Sequence, residues 1–185
     1  MSTSSHAQTT AVKPERIVLV GMMGAGKSTV GATLSRLTGW RYVDNDEVVE
    51  QMVGMPTRDL LEQRGVAAMR AAESAAAQAV LKMDPPVIAG AAAGIVLDGA
   101  TAAQLHDGAF VVYLRANVDT LVHRIEGTYR PWLGDDPEAT LRSLYDGREA
   151  LYEKLADLIV DVDDLSADDV AQRILDASAS VGSGH

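Results

Sequence analysis

The sequence has no cysteine, no long apolar run and fewer basic than acidic residues, and each feature excludes a class of protein. Without cysteine, disulfides and thiolate metal sites are excluded, which is compatible with the reducing cytosol. No apolar stretch approaches the roughly 20 residues that a membrane-spanning helix requires. The net charge of −10 repels nucleic acids and anionic membranes. We therefore expect a cytoplasmic protein that binds a small molecule, and neither nucleic acid nor membrane. We also expect a monomer.

The length of 185 residues is enough for one well-packed domain and short for two. Residues 1–15 are rich in Ser and Thr and lack the apolar segment of a secretory signal, so a loose tail is expected there. The Ser- and Gly-rich residues 178–185 predict a second disordered tail. A single domain is expected over residues 16–177.

Strand-like and helix-like segments alternate along this domain, which predicts an α/β fold with a parallel sheet covered by helices. Apolar runs predict five strands, at residues 17–20, 41–44, 87–89, 110–114 and 158–160. Helical spacing or high alanine content predicts helices at 27–38, 48–53, 66–83 and 118–125, one long helix from Pro137 to Leu155, and a last helix capped by Ser166. Residues 126–136 show little periodicity and predict a mobile loop.

The stretch Gly21-Met22-Met23-Gly24-Ala25-Gly26-Lys27-Ser28-Thr29 fits the pattern G-x-x-x-x-G-K-[ST] of a phosphate-binding loop, or P-loop. A predicted strand precedes it and a predicted helix follows it, as the motif requires, so a chance glycine-rich turn is the weaker interpretation. The glycines let backbone N–H groups converge on phosphate oxygens, next to the positive end of the helix dipole. Lys27 is expected to reach the β- and γ-phosphates, and the Ser28 hydroxyl to join a Mg²⁺ shell.

Two carboxylates follow the second predicted strand, in Asp44-Asn45-Asp46. Ligands of open α/β sheets gather outside the carboxyl ends of the strands, which would bring these residues near the P-loop. Because side chains alternate along a strand, Asp44 and Asp46 are expected to project to the same side, where one could hold Mg²⁺ and the other accept a proton from an attacking hydroxyl. The alternative is a solvated N-terminal cap of the next helix.

Three separated arginines, Arg70, Arg130 and Arg148, lie in or beside segments expected to approach the strand ends. Phosphoryl transfer uses guanidinium groups to hold anionic substrates and the charge that develops on phosphate. The alternative for each is a solvated helix face.

Together these motifs resemble the shikimate kinase family, in the nucleoside-monophosphate-kinase-like branch of P-loop folds. The resemblance runs from about Ile17 to Leu175 and rests on the P-loop and four further pieces: Asp44-Asn45-Asp46, Met69-Arg70-Ala71-Ala72-Glu73, Arg130-Pro131, and Arg148-Glu149-Ala150-Leu151-Tyr152. It implies a three-layer fold with a five-stranded parallel sheet, helices on both faces and a short lid at about residues 126–136. The implied reaction transfers the γ-phosphate of ATP to the 3-hydroxyl of shikimate, with Mg²⁺ as cofactor.

The resemblance also implies a role for each residue that matches a family motif. Catalysis is implied for Lys27, Asp46 and Arg130. Mg²⁺ binding is implied for Ser28, and for Asp44 through water. Nucleotide binding is implied for Gly21, Gly24, Ala25, Gly26, Lys27, Ser28, Thr29 and Arg124. Acceptor binding is implied for Asp46, Arg70, Ala92, Ala93, Gly94, Arg130 and Arg148.

The chain departs from the family pattern after the third strand, where Gly90-Ala91-Ala92-Ala93-Gly94 replaces a run of three glycines. Each added methyl is expected either to intrude into the acceptor pocket or to conflict with a positive φ. Leu61 and Met69 replace phenylalanines, and the lid is about one residue short. Two alternatives to a shikimate kinase follow: a kinase for another polyol acid such as gluconate, and a nucleotide-binding regulatory module that has lost kinase activity.

Overall fold

A single sheet of five parallel strands forms the centre of the protein, whose computed structural model describes residues 14–126 and 133–181. The strand order is β2-β3-β1-β4-β5. The strands are β1 (Arg16–Val20), β2 (Arg41–Asp44), β3 (Val87–Gly90), β4 (Phe110–Arg115) and β5 (Leu158–Asp161). Each lies within one residue of its prediction, and the predicted five-stranded parallel sheet is confirmed.

Helices cover both faces of the sheet. They are α1 (Lys27–Thr38), α2 (Asn45–Val53), α3 (Thr57–Leu81), α4 (Gly99–Gly108), α5 (Val118–Ile125), α6 (Pro137–Asp146), α7 (Glu149–Leu155) and α8 (Ala167–Val181), with a 3₁₀ turn at Ile95–Leu97. The connection from β1 to β2 runs in the opposite direction across the sheet from the connection between β3 and β4. Because crossovers between parallel strands are right-handed, α1 and α4 lie on opposite faces. Accordingly α1 packs against α8, whereas α3 packs against α4.

The core lies on both sides of the two central strands. In β1 the four residues Ile17–Val20 are at most 2% exposed, and in β4 the residues Phe110–Leu114 are at most 6% exposed. Such continuous apolar runs are typical of parallel strands covered on both faces. All five strands run the same way, so their carboxyl ends open at one edge of the sheet, which is where ligands of this class of fold bind. None of the helices in residues 14–126 and 133–181 has the length and hydrophobicity to cross a membrane.

Helix α4 was not predicted, because its ten residues include two glycines, three alanines and only one large apolar residue, Leu105. The signal that could have located it is Asp98, whose side chain accepts hydrogen bonds from the N–H groups of Ala100 and Thr101. An aspartate that precedes a run of good helix formers is a typical N-terminal cap.

Replacing Asp98 with alanine is expected to lower the free energy of unfolding by about 1 kcal/mol at pH 7, because the cap of α4 is lost. Hydrogen bonds from Ser74 and Thr101 hold the pKa of Asp98 below its ordinary value of 3.8. A carboxyl whose pKa is lowered on folding stabilises the native state above its unfolded pKa, and this contribution is lost as the pH falls through the folded pKa. Urea titrations at neutral and acid pH should therefore show the difference between the two proteins shrinking below about pH 4. A difference that did not change with pH would contradict this.

The helix predicted from Pro137 to Leu155 is two helices, α6 and α7, separated at Gly147 and Arg148. At Arg148 the backbone leaves the helical region, with φ −124° and ψ −21°. The break shifts the phase of the second helix, so that Leu151 is 38% exposed and Tyr152 is fully buried. The same break places Arg148 at the end of α7 that faces the carboxyl ends of the strands.

The predicted cap of the last helix is confirmed, since the Asp169 N–H donates to Ser166 Oγ and the Ser166 N–H to the Asp169 carboxylate. The tail expected from residue 178 is wrong for residues 178–181, which belong to α8. Ser178 is fully buried and donates from its hydroxyl to the Leu175 carbonyl, which explains how a Ser-rich segment continues the helix. Residues 1–13, 127–132 and 182–185, which contain most of the expected tails and lid, lie outside the described residues.

Candidate active site

A cleft of about 960 Å³ opens at the carboxyl ends of the strands, a volume suited to small-molecule ligands. Of the predicted site residues that the structure describes, all except Gly21 line it: Gly24, Ala25, Gly26, Lys27, Ser28, Thr29, Asp44, Asp46, Arg70, Ala92, Ala93, Gly94, Arg124 and Arg148. Residues from distant parts of the chain therefore meet in one place. Arg130 lies outside the described residues.

The P-loop has the backbone that its sequence predicts. Gly21 adopts φ 142°, and a Cβ there would lie 2.7 Å from the Leu114 carbonyl oxygen. The loop leads into α1, whose N-terminus has no side-chain cap, so N–H groups of its first turn are available to an anion. Lys27 Nζ donates to the carbonyl oxygens of Gly21 at 2.8 Å and Met22 at 3.0 Å. These bonds hold its ammonium group against the P-loop, where the sequence predicts that phosphates bind.

Asp44 and Asp46 do not alternate on a strand, which corrects that prediction. The strand β2 ends at Asp44, and α2 begins at Asn45. Asp44 caps α2 by accepting from the Asp46 N–H at 3.1 Å, so the alternative of an N-terminal cap is right for Asp44. Asp46 lies in the first turn of α2 and accepts from the Thr57 hydroxyl at 3.1 Å. Both carboxylates nevertheless line the cleft, because a tight strand-to-helix junction brings them to the same edge.

The second oxygen of Asp44 faces the P-loop and accepts from the Ser28 hydroxyl at 3.0 Å. A carboxylate and a hydroxyl are hard oxygen donors of the kind that Mg²⁺ prefers. Among the described residues there is no group of three or more acidic, His or Cys side chains that could hold a metal ion alone. Mg²⁺ is commonly bound by one or two carboxylates together with substrate phosphates and water. The pair fits Mg²⁺ that arrives with a nucleotide.

Tyr42 supports Asp44, a contact that motif reasoning missed. Its hydroxyl donates to the same Asp44 oxygen at 3.0 Å. Burial, reinforced by the nearby Asp44 charge, raises the pKa of Tyr42, so it remains a donor. Two glycines make room for the side chain: a Cβ at Gly31 would lie 2.1 Å from the ring, and one at Gly90 would lie 2.6 Å from the hydroxyl. A glycine inside the predicted helix α1 was the available signal of such a close approach.

Replacing Gly31 with alanine is expected to lower the free energy of unfolding by about 1–3 kcal/mol, because the methyl group overlaps the Tyr42 ring. Glycine to alanine inside a helix otherwise stabilises it by up to about 1 kcal/mol. The control is the same substitution in a Tyr42→Ala background, where the collision is gone and alanine should be neutral or stabilising. Urea titration of the four proteins measures the difference. Equal destabilisation in both backgrounds would contradict the packing described here.

Two guanidinium groups define the other end of the cleft. Arg70 Nη1 donates to Glu73 Oε2 at 2.6 Å, and Glu73 is 6% exposed. Arg148 is 5% exposed, and its Nη1 lies 3.4 Å from the Ala93 carbonyl oxygen. Burial raises the pKa of Glu73, Asp46 acts in the same direction, and the two guanidinium groups oppose both. Glu73, which the motif contained without an assigned role, therefore anchors Arg70.

The alanine run after β3 fits its backbone without strain. No described residue other than glycine has a positive φ, so the expected backbone conflict does not occur at residues 91–93. The Ala91 N–H donates to the Leu19 carbonyl at 2.9 Å, and the Tyr152 hydroxyl donates to the Ala93 carbonyl at 2.5 Å. Ala92 and Ala93 line the cleft. Their side chains therefore border the space that a ligand would occupy.

Arg124 lies against the P-loop. Its Nη1 donates to the Gly24 carbonyl at 3.2 Å, and its Nη2 lies 3.4 Å from the Val162 carbonyl, just after β5. The guanidinium group thus bridges the loop and the segment that leads to α8. Val162, Leu165 and Ala167 line the cleft there and supply an apolar wall.

Comparison with known proteins, by sequence and by structure, finds the family that the sequence motifs resemble. A family model described as shikimate kinase matches residues 23–179. A relative named shikimate kinase from Halorhodospira halophila is 39% identical over 166 residues, which cover 89% of this chain and 93% of that protein. The solved structure of shikimate kinase from Acinetobacter baumannii in complex with shikimate has a TM-score of 0.85 and 30% identity, covering 92% of this chain and 95% of that one.

A gluconokinase from Sinorhizobium meliloti has a TM-score of 0.60 and 16% identity, covering 92% of this chain and 95% of that one. This second likeness shows a shared fold only, so the fold does not distinguish among acceptors. The acceptor has to be argued from the site.

Proposed function

The chain belongs to the shikimate kinase family, and we propose that it transfers the γ-phosphoryl group of ATP to the 3-hydroxyl of shikimate. The observation that carries this proposal is the meeting of the P-loop with Asp46, Arg70 and Arg148 in one cleft. The loop suits a nucleotide, and the carboxylate and two guanidinium groups suit a hydroxylated carboxylic acid. A relative at 30% identity was solved with shikimate bound, which favours shikimate over other acids of this type.

In this proposal Arg70 and Arg148 hold the carboxylate of the acceptor. Burying a guanidinium group is costly unless its charge is compensated. Arg148 is 5% exposed, its Nη1 donates to the neutral Ala93 carbonyl, and it shares the charge of Glu73 with Arg70, which forms the direct ion pair. A bound carboxylate would supply a second anion through charge-assisted hydrogen bonds. Ala92, Ala93 and Gly94 form the floor on which the ring of the acceptor would rest.

The P-loop residues Gly21, Gly24, Ala25, Gly26, Lys27, Ser28 and Thr29 would hold the phosphates of ATP, and Arg124 would lie beside the nucleotide. Ser28 would coordinate Mg²⁺, with Asp44 binding it through water and Tyr42 holding Asp44 in place. When bound, Mg²⁺ neutralises phosphate charge and orients the β- and γ-phosphates.

Asp46 is the proposed acceptor of the proton from the 3-hydroxyl. As that oxygen attacks the γ-phosphorus, the bond from phosphorus to the oxygen bridging the β- and γ-phosphates breaks, ADP leaves and the proton passes to the carboxylate. Lys27 and Arg130 would stabilise the charge on the transferred phosphoryl group. Asp46 suits this role because it lies at the exposed first turn of α2 and opens into the cleft.

Thermal unfolding with different ligands tests the proposal against its alternatives, since a ligand that binds the folded state raises the melting temperature. The purified protein is melted alone, with ATP and Mg²⁺, with shikimate, with gluconate, and with each acid together with ADP and Mg²⁺. We expect stabilisation by the nucleotide and by shikimate, and less by gluconate. Stabilisation by gluconate but not shikimate would support the polyol-acid alternative, and a response to nucleotide alone would support a binding module.

A further inference from the structure

The glycine that ends the alanine run, Gly94, lies directly against the guanidinium group of Arg70. A Cβ at Gly94 would lie 1.9 Å from Arg70 Nη1, 2.3 Å from Cζ and 2.8 Å from Nη2, all well inside contact distance. The backbone of Gly94 has φ −90° and ψ 0°, a conformation open to residues with a side chain. Glycine is therefore required here by the space that Arg70 occupies and not by the backbone.

We propose that Gly94 is a positioning residue for Arg70: the absence of its side chain creates the slot that holds the guanidinium group toward the acceptor. The choice of acceptor rests on the proposed function, whereas the slot itself rests on geometry alone. Gly94, which the family resemblance placed among the substrate-binding residues, then acts on the substrate through Arg70.

The slot has two walls. On one side is the backbone of Gly94, and on the other is the buried carboxylate of Glu73, 2.6 Å from Arg70 Nη1. The same nitrogen bonds to Glu73 and lies nearest to the place of the missing Cβ. A methyl group at Gly94 would therefore push the guanidinium group off Glu73.

The position of the glycine within the run supports the assignment. Residues 91–93 carry methyl groups without a positive φ, so this backbone tolerates side chains at three successive positions. At Gly94 the obstacle is the end of a flexible side chain, which can swing away without unfolding the protein. A substitution there should accordingly alter acceptor binding much more than stability.

The test compares Gly94→Ala with Gly99→Ala as the matched control. Gly99 lies five residues further on, has no positive φ, and a Cβ there would meet nothing within 4 Å. For Gly94→Ala we expect the KM for shikimate to rise about 10- to 100-fold, because this is the size of effect that the loss of one charge-assisted hydrogen-bonded pair produces. The KM for ATP and the melting temperature should stay near the original values. Gly99→Ala should leave all of these unchanged.

An Arg70→Ala background separates positioning from a general disturbance of the pocket. If Gly94 acts through Arg70, adding Gly94→Ala to Arg70→Ala should change the KM for shikimate by less than about twofold, because the two residues work as one unit. A full additional effect in that background would overturn the proposal, as would an unchanged KM in the single variant.

A crystal structure of Gly94→Ala gives a readout that needs no substrate. The proposal expects the Arg70 guanidinium group to have moved from its place beside Glu73; finding it in place overturns the proposal. If the unmodified protein shows no response to shikimate, the proposed function fails, and the crystal structure still decides whether Gly94 positions Arg70.

Discussion

Replacing Lys27 with methionine should reduce kcat by at least about 1,000-fold and leave the fold intact. Methionine keeps much of the length and volume of lysine and removes the charge together with its N–H donors. In the proposed reaction that charge neutralises the transferred phosphoryl group, a contribution that is largest in the transition state. Lys27 lies in the open cleft, where its Nζ donates to the carbonyl oxygens of Gly21 and Met22, so we expect its replacement to cost little stability. Stopped-flow or steady-state measurement of ADP formation gives kcat.

The matched control is Lys154→Met, which removes one positive charge from an exposed position in α7. It should retain full kcat and an unchanged melting temperature. If Lys27→Met turned over at the same rate as Lys154→Met, Lys27 would have no part in the chemistry and the P-loop assignment would have to be abandoned.

Asp46→Asn should lower kcat by about 10²- to 10⁴-fold, the usual contribution of a general base. Asparagine has nearly the same shape and can still accept the hydrogen bond from Thr57, so α2 should keep its position. What it cannot do is take up a proton from the acceptor hydroxyl. Steady-state kinetics should show the loss in kcat, with the KM for ATP close to that of the original protein.

Glu47→Gln is the control for Asp46→Asn, because Glu47 is the next residue, is exposed and also lies in the first turn of α2. Both changes remove one negative charge near the positive end of the helix dipole, and they should cost similar small amounts of stability. Only Asp46→Asn should affect turnover. Equal effects on kcat would show that charge at the helix end matters and that Asp46 is not the base.

Contiguous motifs explain why so much of the site could be predicted from the sequence. The P-loop carries its ligand groups within nine successive residues, and the strand before it and the helix after it fix their direction. The carboxyl ends of parallel strands lie at the same edge of the sheet. The segments that follow them therefore bring Asp46 and Arg148 into the same cleft, although about 100 residues separate the two in sequence. This part of the prediction depended on the order of strands, motifs and helices along the chain and on the general rule that parallel strands end at one edge of the sheet.

Contacts between side chains from different elements could not be predicted in this way. The pairing of Tyr42 with Gly31 and Gly90 requires the packing of α1 on the sheet, and the fit of Arg70 against Gly94 requires the register of α3 against the segment after β3. The sequence marks such places only as glycines without an evident turn. The error at Asp44 and Asp46 has a local cause. The sequence does not show whether an aspartate at this point continues the strand or caps the next helix, and the structure shows that α2 begins at Asn45.

The alanine run shows how a departure from a family pattern can be read in more than one way. From sequence, Ala91, Ala92 and Ala93 suggested either a reshaped pocket or a strained backbone. The structure removes strain from consideration, because these residues have ordinary backbone angles, and it moves the requirement for glycine to Gly94. What remains is a cleft whose lining includes three alanine side chains, and in the proposed function these would affect how the acceptor fits.

Product analysis tests the central claim most directly. The purified full chain is incubated with ATP, Mg²⁺ and shikimate, ADP is followed by a coupled assay, and the phosphorylated product is identified by ³¹P NMR. The proposed function predicts one shikimate 3-phosphate for each ADP formed above the ATPase background. ADP formation at the same rate with and without shikimate, with no new phosphate ester, would contradict it.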